Sequence, residues 1–158
     1  MLRPMIQSEY VAWRAEVIPA YAADKVAAGQ WSEAESLDLS GKEYDELLPE
    51  GLATRDNFLF TIVDLQSVPV GVLWFAVKTR FGARIAYVFD VSIAPARQRE
   101  GHAHRALLAV EGKARGLDLA GIALHVFGHN RAARALYDKL GFQPTSISLF
   151  KQLPTPSA

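Results

Sequence analysis

Three strand-like runs follow one another in the middle of the chain, and this arrangement constrains the fold more than any other feature. The runs Phe58 to Asp64, Val70 to Lys78 and Arg84 to Ala94 are rich in Val, Ile and aromatic residues, as strands usually are. Only short turns join them, around Pro69 and at Gly82. Because strands joined by such turns run in opposite directions, the sequence predicts an antiparallel meander.

Helical patterns flank this meander on both sides. Before it, one helix is predicted over Gln7 to Ala28, with a kink or a break into two helices at Pro19, and a second opens with a capping box at Ser32 to Glu35. The other predicted elements are a strand at Leu2 to Met5, a helix at His102 to Arg115, a strand at Ile122 to Phe127, a helix from Asn130 to Gly141 and a last strand at Ser146 to Lys151. The order β-α-α-β-β-β-α-β-α-β predicts an α/β domain around one mixed, mostly antiparallel central sheet.

The size and composition of the chain fit one domain with its own core. A chain of 158 residues can bury roughly two thirds of its unfolded surface. Half of the residues are hydrophobic and 22% are charged, which excludes bulk disorder. We expect a single domain over residues 1–153 and a frayed tail over residues 154–158.

Neither a secretory nor a membrane segment is evident. The first ten residues lack the apolar centre of a signal peptide, and the longest nearly apolar run, Val68 to Val77, is far shorter than the ~18 residues that a membrane helix needs. The chain has no cysteine, which excludes a disulfide scaffold, a thiol nucleophile and Cys-ligated zinc, and which fits a reducing compartment. The expected location is the cytoplasm, without a membrane partner.

Acidic residues gather in the first third of the chain. Residues 1–57 carry 11 acids and 5 bases, and residues 58–158 carry 6 acids and 12 bases, so net charges of −6 and +6 cancel. One interpretation is a region that attracts a cation beside a region that holds an anion. The other is ordinary solvated surface. The acids of the two first helices that would hold a cationic substrate are Glu16, Glu43, Asp45 and Glu46.

The clearest chemical signal is the segment Asp90 to His104, where a strand leads through a proline-bearing turn and a small-residue loop into a helix. A helix start has unpaired N–H groups and the positive end of the helix dipole, so it binds phosphate readily. Gly101 and Ala103 allow an anion to approach the backbone closely. The positive side chains expected to flank the turn are Arg97, Arg99, His102 and His104. The same junction is also common as plain helix–strand packing.

Two motifs resemble those of the GNAT superfamily, the acetyl-CoA-dependent N-acetyltransferases. Gln98 to Ala103 is similar to the Q/R-x-x-G-x-G/A signature, and Val91 to Pro95 resembles the strand and turn that precede it. Leu124 to Phe142 is similar to the family pattern L-x-V-x-x-x-N-x-x-A-x-x-L-Y-x-x-x-G-F. The resemblance covers about residues 58–152, and one departure from the pattern is Ala103, where many members have glycine.

The resemblance implies a GNAT-like fold and transfer of an acetyl group from acetyl-CoA to a primary amine of a small molecule or peptide. The backbone of residues 91–93 would pair with the pantetheine arm, and the N–H groups of residues 98–104 would cradle the pyrophosphate. The cofactor-binding residues that it implies are Val91, Ser92, Ile93, Gln98, Arg99, Glu100, Gly101, His102, Ala103, His104 and Asn130. Tyr137 would stand near the thioester sulfur.

The expected chemistry needs a base and an acid. A free alkylamine has a pKa near ~10.4, so a base must take its proton before it attacks. We nominate Asp90 as that base, because many family members place an acid at its strand position. Tyr137 is the expected acid for the leaving thiolate. Each has a structural alternative: Asp90 as a hydrogen-bond partner, Tyr137 as core and Asn130 as a helix cap.

Other function classes have less support. A non-catalytic sensor or interaction domain of the same fold would bind CoA without turnover. A nucleic-acid-binding module would need positive residues along a face with interleaved aromatics, whereas here they gather at one turn and one helix start. No metal is expected, since only two of the four histidines are close in sequence. The sequence leaves the amine acceptor open, and a homodimer is the commonest assembly for such a chain.

Overall fold

The computed structural model describes residues 1–157. The strands are β1 (Leu2–Pro4), β2 (Asn57–Val63), β3 (Pro69–Arg80), β4 (Ala83–Ile93) and β5 (Ile122–Leu124), and the helices are α1 (Gln7–Ala27), α2 (Glu33–Leu47), α3 (His102–Gly116) and α4 (Arg131–Lys139). The α/β class and the mostly antiparallel central sheet are confirmed. The tail expected over residues 154–158 ends at Ala158, which lies outside the described residues. Within residues 1–157, no helix combines the length and the apolar character needed to cross a bilayer.

The sheet has the order β1-β2-β3-β4-β5. The pairs from β1 to β4 are antiparallel, which confirms the predicted meander, and β4 pairs with β5 in parallel. This parallel pairing joins only residues 86–88 of β4 to residues 122–124 of β5. Residues 89–93 of β4 therefore have one edge without a strand partner in the described chain. We call the opening beside them the β4–β5 gap.

Two apolar cores lie on opposite faces of the sheet. Helices α1 and α2 cover one face, the α1–α2 face, whose buried residues are Met5, Tyr10, Trp13, Tyr44, Leu48, Leu59 and Trp74. Helix α3 covers the other, where the fully buried side chains include Leu73, Phe75, Leu107 and Val110. Successive residues of β3 alternate between these cores, as the pleat of a strand requires.

A β-bulge in β4 decides where Asp90 points. Asp90 lies opposite Trp74 and Val88 lies opposite Phe75, which leaves Phe89 as an extra residue. In a regular strand Val88 and Asp90 would share one face. The bulge reverses the alternation, so that Val88 packs into the α3 core while Asp90 reaches Trp13 on the α1–α2 face.

Helix α1 is not broken at Pro19, so of the two predicted forms only the kink remains a prediction, and the predicted capping box of α2 is wrong. Helix α1 continues through Pro19 as one helix, and the hydroxyl of Ser40 in α2 donates to the carbonyl oxygen of Ile18 at 2.7 Å, which ties the two helices together at this turn. The capping box at the start of α2 does not form. The hydroxyl of Ser32 donates to the Glu35 carboxylate at 2.8 Å, so it caps no backbone N–H.

The predicted last strand, Ser146 to Lys151, is also wrong for the single chain. Residues 143–157 contain no helix or strand, and all of them are exposed. A strand needs a neighbouring strand for its backbone hydrogen bonds, and none in the described chain lies beside this segment. The sheet formed by residues 1–157 therefore has five strands where the sequence predicted six.

Candidate active site

The loop after β4 has a backbone form that suits a phosphate. It turns through a single 3₁₀ turn (Pro95–Arg97) into α3, and Arg99 and Gly101 have positive φ angles of 68° and 80°. Gly101 is the N-cap residue, and no side chain caps the helix. The N–H groups of the first turn have no partner within the helix. Backbone N–H donors are therefore available at the N-terminal end of α3, which follows the unpaired edge of β4 along the chain.

The charges around this loop differ from the sequence expectation. Arg97 lies 3.1 Å from both the Asp64 and the Glu100 carboxylates. His102 is buried, with its Nε2 atom 2.8 Å from the same Glu100 carboxylate. Arg97 and then His102 hold the pKa of Glu100 below its ordinary value. Arg97 and His102 therefore shape the loop, whereas Arg99 is exposed beside it.

Gly71 marks a close approach of two strand backbones that the sequence analysis missed. A Cβ atom at this position in β3 would lie 2.2 Å from the carbonyl oxygen of Ser92. The backbones of β3 and β4 therefore approach closely where β4 borders the β4–β5 gap. The available signal was a glycine inside a strand otherwise rich in branched and aromatic residues, which often marks such an approach.

Asp90 combines a fixed position with a raised basicity. The indole Nε1 atom of Trp13 donates to its Oδ2 atom at 2.8 Å. Burial raises the pKa of Asp90 to about 6, although hydrogen bonds from Trp13 and Ser92 lower it in part. At neutral pH the carboxylate is mostly ionised, yet it is a stronger base than an ordinary aspartate with a pKa near ~3.9.

Tyr137 lies half-buried on α4, packed against the α3 core. Its ring centroid is 5.6 Å from that of Phe142. Burial, and then the charge of Asp90, raises the pKa of its phenol. The phenol is therefore protonated at neutral pH, and its pKa responds to the charge of Asp90.

Asn130 caps α4, as one of the two sequence interpretations held. Its Oδ1 atom accepts a hydrogen bond from the backbone N–H of Ala133 at 3.2 Å. The side chain is exposed at the start of the helix that carries Tyr137. Capping uses the oxygen of the amide and leaves its nitrogen for another partner.

Aromatic rings connect Asp90 to the two N-terminal helices. The ring of Trp13 lies 5.9 Å from that of Tyr44, which lies 5.8 Å from that of Tyr21. Tyr21 is also 6.4 Å from Phe127, which follows β5. The aromatic cluster therefore extends from Asp90, the candidate base, to Phe127, which borders the β4–β5 gap.

Glu43 differs from the other three acids that the sequence nominated for a cationic substrate. Glu16 and Glu46 are exposed, and Asp45 pairs with Arg14 at 2.7 Å. The Oε2 atom of Glu43 is buried without a hydrogen-bond partner in the described chain. The residue lines an open groove with Trp31, Leu39, Lys42 and Glu46. Burial, and then a hydrogen bond to Glu43, raises the pKa of Tyr21.

No group of three His, Cys, Asp or Glu residues within the described part of the chain is arranged to hold a metal ion. His129 instead lies 3.4 Å from the Asp24 carboxylate. Burial, and then the charge of Lys25, lowers the pKa of His125.

Comparison with known proteins gives concordant results. The acetyltransferase (GNAT) family model matches residues 23–142. The chain is 33% identical to the "Uncharacterized N-acetyltransferase YycN" of Bacillus subtilis over 97% of this chain and 98% of that protein. It is 30% identical to YdgE of the same organism, over 96% and 97% of the two chains.

Solved structures agree with the sequence comparisons. The crystal structure of YycN from Bacillus subtilis has a TM-score of 0.92 and 32% identity, and the match covers 98% of this chain and 99% of that one. AAC(6')-Iy in complex with the bisubstrate analogue CoA-S-monomethyl-acetylneamine has a TM-score of 0.61 and 16% identity, over 98% of each chain. The second likeness is one of fold alone.

Proposed function

The chain belongs to the acetyltransferase (GNAT) family and is an N-acetyltransferase, and from that premise we propose that its single domain, residues 1–153, transfers the acetyl group of acetyl-CoA directly to a primary amine of a small molecule or peptide. The observation that carries the proposal is the unpaired edge of β4, residues 89–93, which leads into the uncapped start of α3. An unpaired edge offers hydrogen bonds to an extended amide chain, and a helix start offers them to phosphate. Pantetheine and pyrophosphate follow one another in the same order in CoA.

The roles of the binding residues follow from this order. Residues 91–93 hold the pantetheine amides through the edge of β4. The N–H groups of residues 98–104 hold the pyrophosphate, and the Asn130 amide nitrogen adds a contact from α4. Backbone N–H groups of β4 near the bulge stabilise the negative charge that develops on the thioester carbonyl oxygen.

Asp90 and Tyr137 perform the two proton transfers. Asp90 accepts a proton from the ammonium of the acceptor, directly or through water, and the free amine then attacks the thioester carbonyl. As the C–S bond breaks, Tyr137 donates its phenolic proton to the departing CoA thiolate. The nitrogen loses its second proton to solvent as the amide forms, and solvent returns a proton to the Tyr137 phenolate and takes the proton from Asp90. The chain has no cysteine, so no cysteine acyl-enzyme takes part. The raised pKa of Asp90 makes it a stronger base, and the raised pKa of Tyr137 keeps its phenol protonated until the thiolate departs.

The acceptor side of the site is acidic and aromatic, which suits a cationic amine. Glu43 supplies a carboxylate oxygen that has no hydrogen-bond partner in the described chain. The Tyr21 and Trp31 rings attract cations, since the Lys25 ammonium lies 5.5 Å and 5.2 Å from their centroids. The AAC(6')-Iy structure, whose ligand joins CoA to an acetylated amine, has the same fold. That likeness is one of fold alone, so the acceptor class rests on the side chains of this chain.

A panel of amines tests the proposed activity. Purified protein is mixed with acetyl-CoA and, in turn, polyamines, aminoglycosides, amino acids and peptides with free amines, and the released CoA thiol is measured. We expect acceptor-dependent release with at least one amine class and a product that is heavier by one acetyl group. Binding of acetyl-CoA without release across the panel would favour the alternative, a CoA-binding sensor of the same fold.

Gly101→Glu is expected to abolish the stabilisation of the fold by acetyl-CoA. Ligand at a hundredfold excess over its Kd stabilises a protein by about 2.7 kcal/mol. A glutamate at the start of α3 places bulk and negative charge where the pyrophosphate would lie. The melting temperature with and without acetyl-CoA measures the loss.

A matched control separates the lost site from backbone strain. Gly29 also has a positive φ of 71°, and a Cβ atom there has no neighbour within 4 Å. Gly29→Glu therefore makes the same chemical change at a similar backbone conformation, and it should keep the full acetyl-CoA shift. A full shift in the folded Gly101→Glu variant would overturn the phosphate assignment.

Glu43→Gln is expected to raise the acceptor KM by about 10-fold while the acetyl-CoA KM stays constant. The change keeps the shape of the side chain and removes the charge that attracts the ammonium, and hydrogen bonds to charged groups contribute about 1.5–3 kcal/mol. Steady-state kinetics with an acceptor from the panel measures both constants. Glu46→Gln, in the same groove but exposed, is the control, and equal effects of the two variants would indicate general surface charge.

A further inference from the structure

Asp64, in the turn between β2 and β3 (residues 64–68), reaches the loop that leads into α3. Its Oδ1 atom accepts hydrogen bonds from the backbone N–H groups of Gln66 and Val68, each at 2.9 Å. Its Oδ2 atom accepts two hydrogen bonds from the guanidinium of Arg97, each at 3.1 Å. The Asp64 side chain is only 8% exposed. One carboxylate therefore links this turn to the start of the loop.

The contacts of Arg97 continue through the loop to the first turn of α3. Its Nε atom lies 3.1 Å from the Glu100 carboxylate, which lies 2.8 Å from the Nε2 atom of the buried His102. Arg105 donates to the carbonyl oxygen of Glu100 at 2.9 Å and lies 3.1 Å from the Nδ1 atom of His102. A continuous series of polar contacts therefore runs from the β2–β3 turn through residues 97–105.

Arg99 lies inside this series in a backbone conformation that needs support. Its φ of 68° falls in the left-handed region, which residues with a Cβ atom rarely adopt. Such a conformation persists where the surrounding structure determines it from several sides. The Arg99 side chain is exposed, so the support comes from its fixed neighbours Arg97 and Glu100. The φ angles of Arg99 and Gly101 set the directions of the N–H groups that are proposed to hold the pyrophosphate.

Two carboxylates lie here in positions that charge alone disfavours. Asp64 borders the loop and Glu100 belongs to it, whereas the ligand proposed for this loop, the pyrophosphate, is itself negative, and like charges repel. Both carboxylates pair with Arg97. Their presence is therefore explained by the side chain that they hold in place.

We propose that Asp64 is a positioning residue for acetyl-CoA, which through Arg97 holds residues 98–104 in the phosphate-binding form before the cofactor arrives. Because it rests on the proposed function, this inference requires the pyrophosphate to lie at the start of α3. A loop that is already ordered loses less conformational entropy on binding, so it binds its ligand more tightly. Asp64 itself makes no contact with the cofactor.

Asp64→Asn is expected to raise the Kd of acetyl-CoA by about 10-fold, as the loss of a hydrogen bond between charged groups does. The asparagine oxygen still accepts from the N–H groups of the turn, whereas its NH₂ group faces the Arg97 donors and cannot pair with them. Charge alone predicts the opposite sign, because the variant removes a negative charge near the phosphates. Isothermal titration calorimetry at one ionic strength measures the Kd. The kcat at saturating acetyl-CoA and the acceptor KM should stay at their wild-type values, since Asp64 has no part in proton transfer.

Glu9→Gln is the matched control at an ion pair outside the loop. The Glu9 carboxylate pairs with Arg3 and accepts hydrogen bonds from the Ile6 N–H and the Thr61 hydroxyl. The variant therefore breaks a comparable network, which joins β1, α1 and β2. It should lower the free energy of unfolding and leave the Kd of acetyl-CoA unchanged.

A double-mutant cycle with Arg97→Gln tests whether Asp64 acts through Arg97. Arg97→Gln breaks the same link from its other side and should itself weaken binding, so that adding Asp64→Asn changes the Kd little. An Asp64→Asn variant that binds acetyl-CoA as tightly as wild type, or more tightly, would overturn the proposal. An equal loss in both backgrounds, or in Glu9→Gln, would overturn it as well. A wild type that binds no acetyl-CoA would overturn the proposed function, and this proposal with it.

Discussion

Replacing Tyr137 by phenylalanine is expected to lower kcat by about 10²–10⁴-fold and to leave acetyl-CoA binding unchanged. General acid catalysis contributes a factor of this size, and the change removes only the hydroxyl that donates the proton. The ring keeps its contact with Phe142 and with the core beneath α4. Turnover at saturating substrates gives kcat, and the thermal shift with acetyl-CoA reports binding.

Tyr10→Phe provides a matched control for the loss of one hydroxyl. Tyr10 is a buried tyrosine of α1 whose hydroxyl lies 3.4 Å from Arg14. The variant should keep kcat within a few-fold of wild type. If Tyr137→Phe does the same, then Tyr137 belongs only to the core and another group protonates the thiolate.

The alkaline side of the pH profile tests Tyr137 independently. Burial and the charge of Asp90 raise the pKa of the phenol, so the wild type should stay active up to a pH above the ordinary phenol value near ~10. As the pH rises through the phenol pKa, the acid is lost and kcat should fall. The Tyr137→Phe variant should lack this fall.

The sequence predicted those elements whose structure is determined by residues close to one another along the chain. The meander was predictable because short turns force neighbouring strands to pair. The helix start at Gly101 was predictable because this glycine precedes apolar residues at helical spacing, and the structure gives it a positive φ of 80°. The strand at Ser146 to Lys151 was predicted from β-propensity alone, and propensity does not supply a partner. That segment fails as a strand in one chain for this reason.

The site depends on features that no local pattern contains. The bulge at Phe89 sets the face to which Asp90 points, and it depends on the register between β3 and β4. The partners of Arg97 come from the β2–β3 turn and from its own loop, so charge counting misjudged its role. Glu43 stands out from its acidic neighbours only through burial of one oxygen atom. The direction of Asp90, the partners of Arg97 and the burial of Glu43 all depend on contacts between residues far apart in the sequence.

Asp90→Asn is expected to lower kcat by about 10²–10⁴-fold and to remove the acidic side of the pH profile. The amide keeps an oxygen that accepts the hydrogen bond from Trp13, so the structural role of the residue survives while its basicity is lost. In the wild type, the carboxylate has a pKa of about 6. It is protonated below that pH and accepts no proton, so kcat should fall as the pH drops through about 6. Saturating amine keeps the titration of the free acceptor out of this measurement.

Trp13→Phe tests how far the hydrogen bond from Trp13 lowers the pKa of Asp90. The indole hydrogen bond lowers the pKa of Asp90, so its loss should raise that pKa and move the acidic side of the kcat profile to higher pH. The activity at pH 8 should stay far above that of Asp90→Asn, because the carboxylate is still present and ionised. Removing a buried indole from the α1–α2 core also costs stability, as core truncations do, so profiles are recorded well below the melting temperature.

An Asp90→Asn variant with full kcat and an unchanged acidic side of the pH profile would contradict the assignment of Asp90 as the base. Asp90 would then be only a hydrogen-bond acceptor for Trp13, and the base would have to be another group or water.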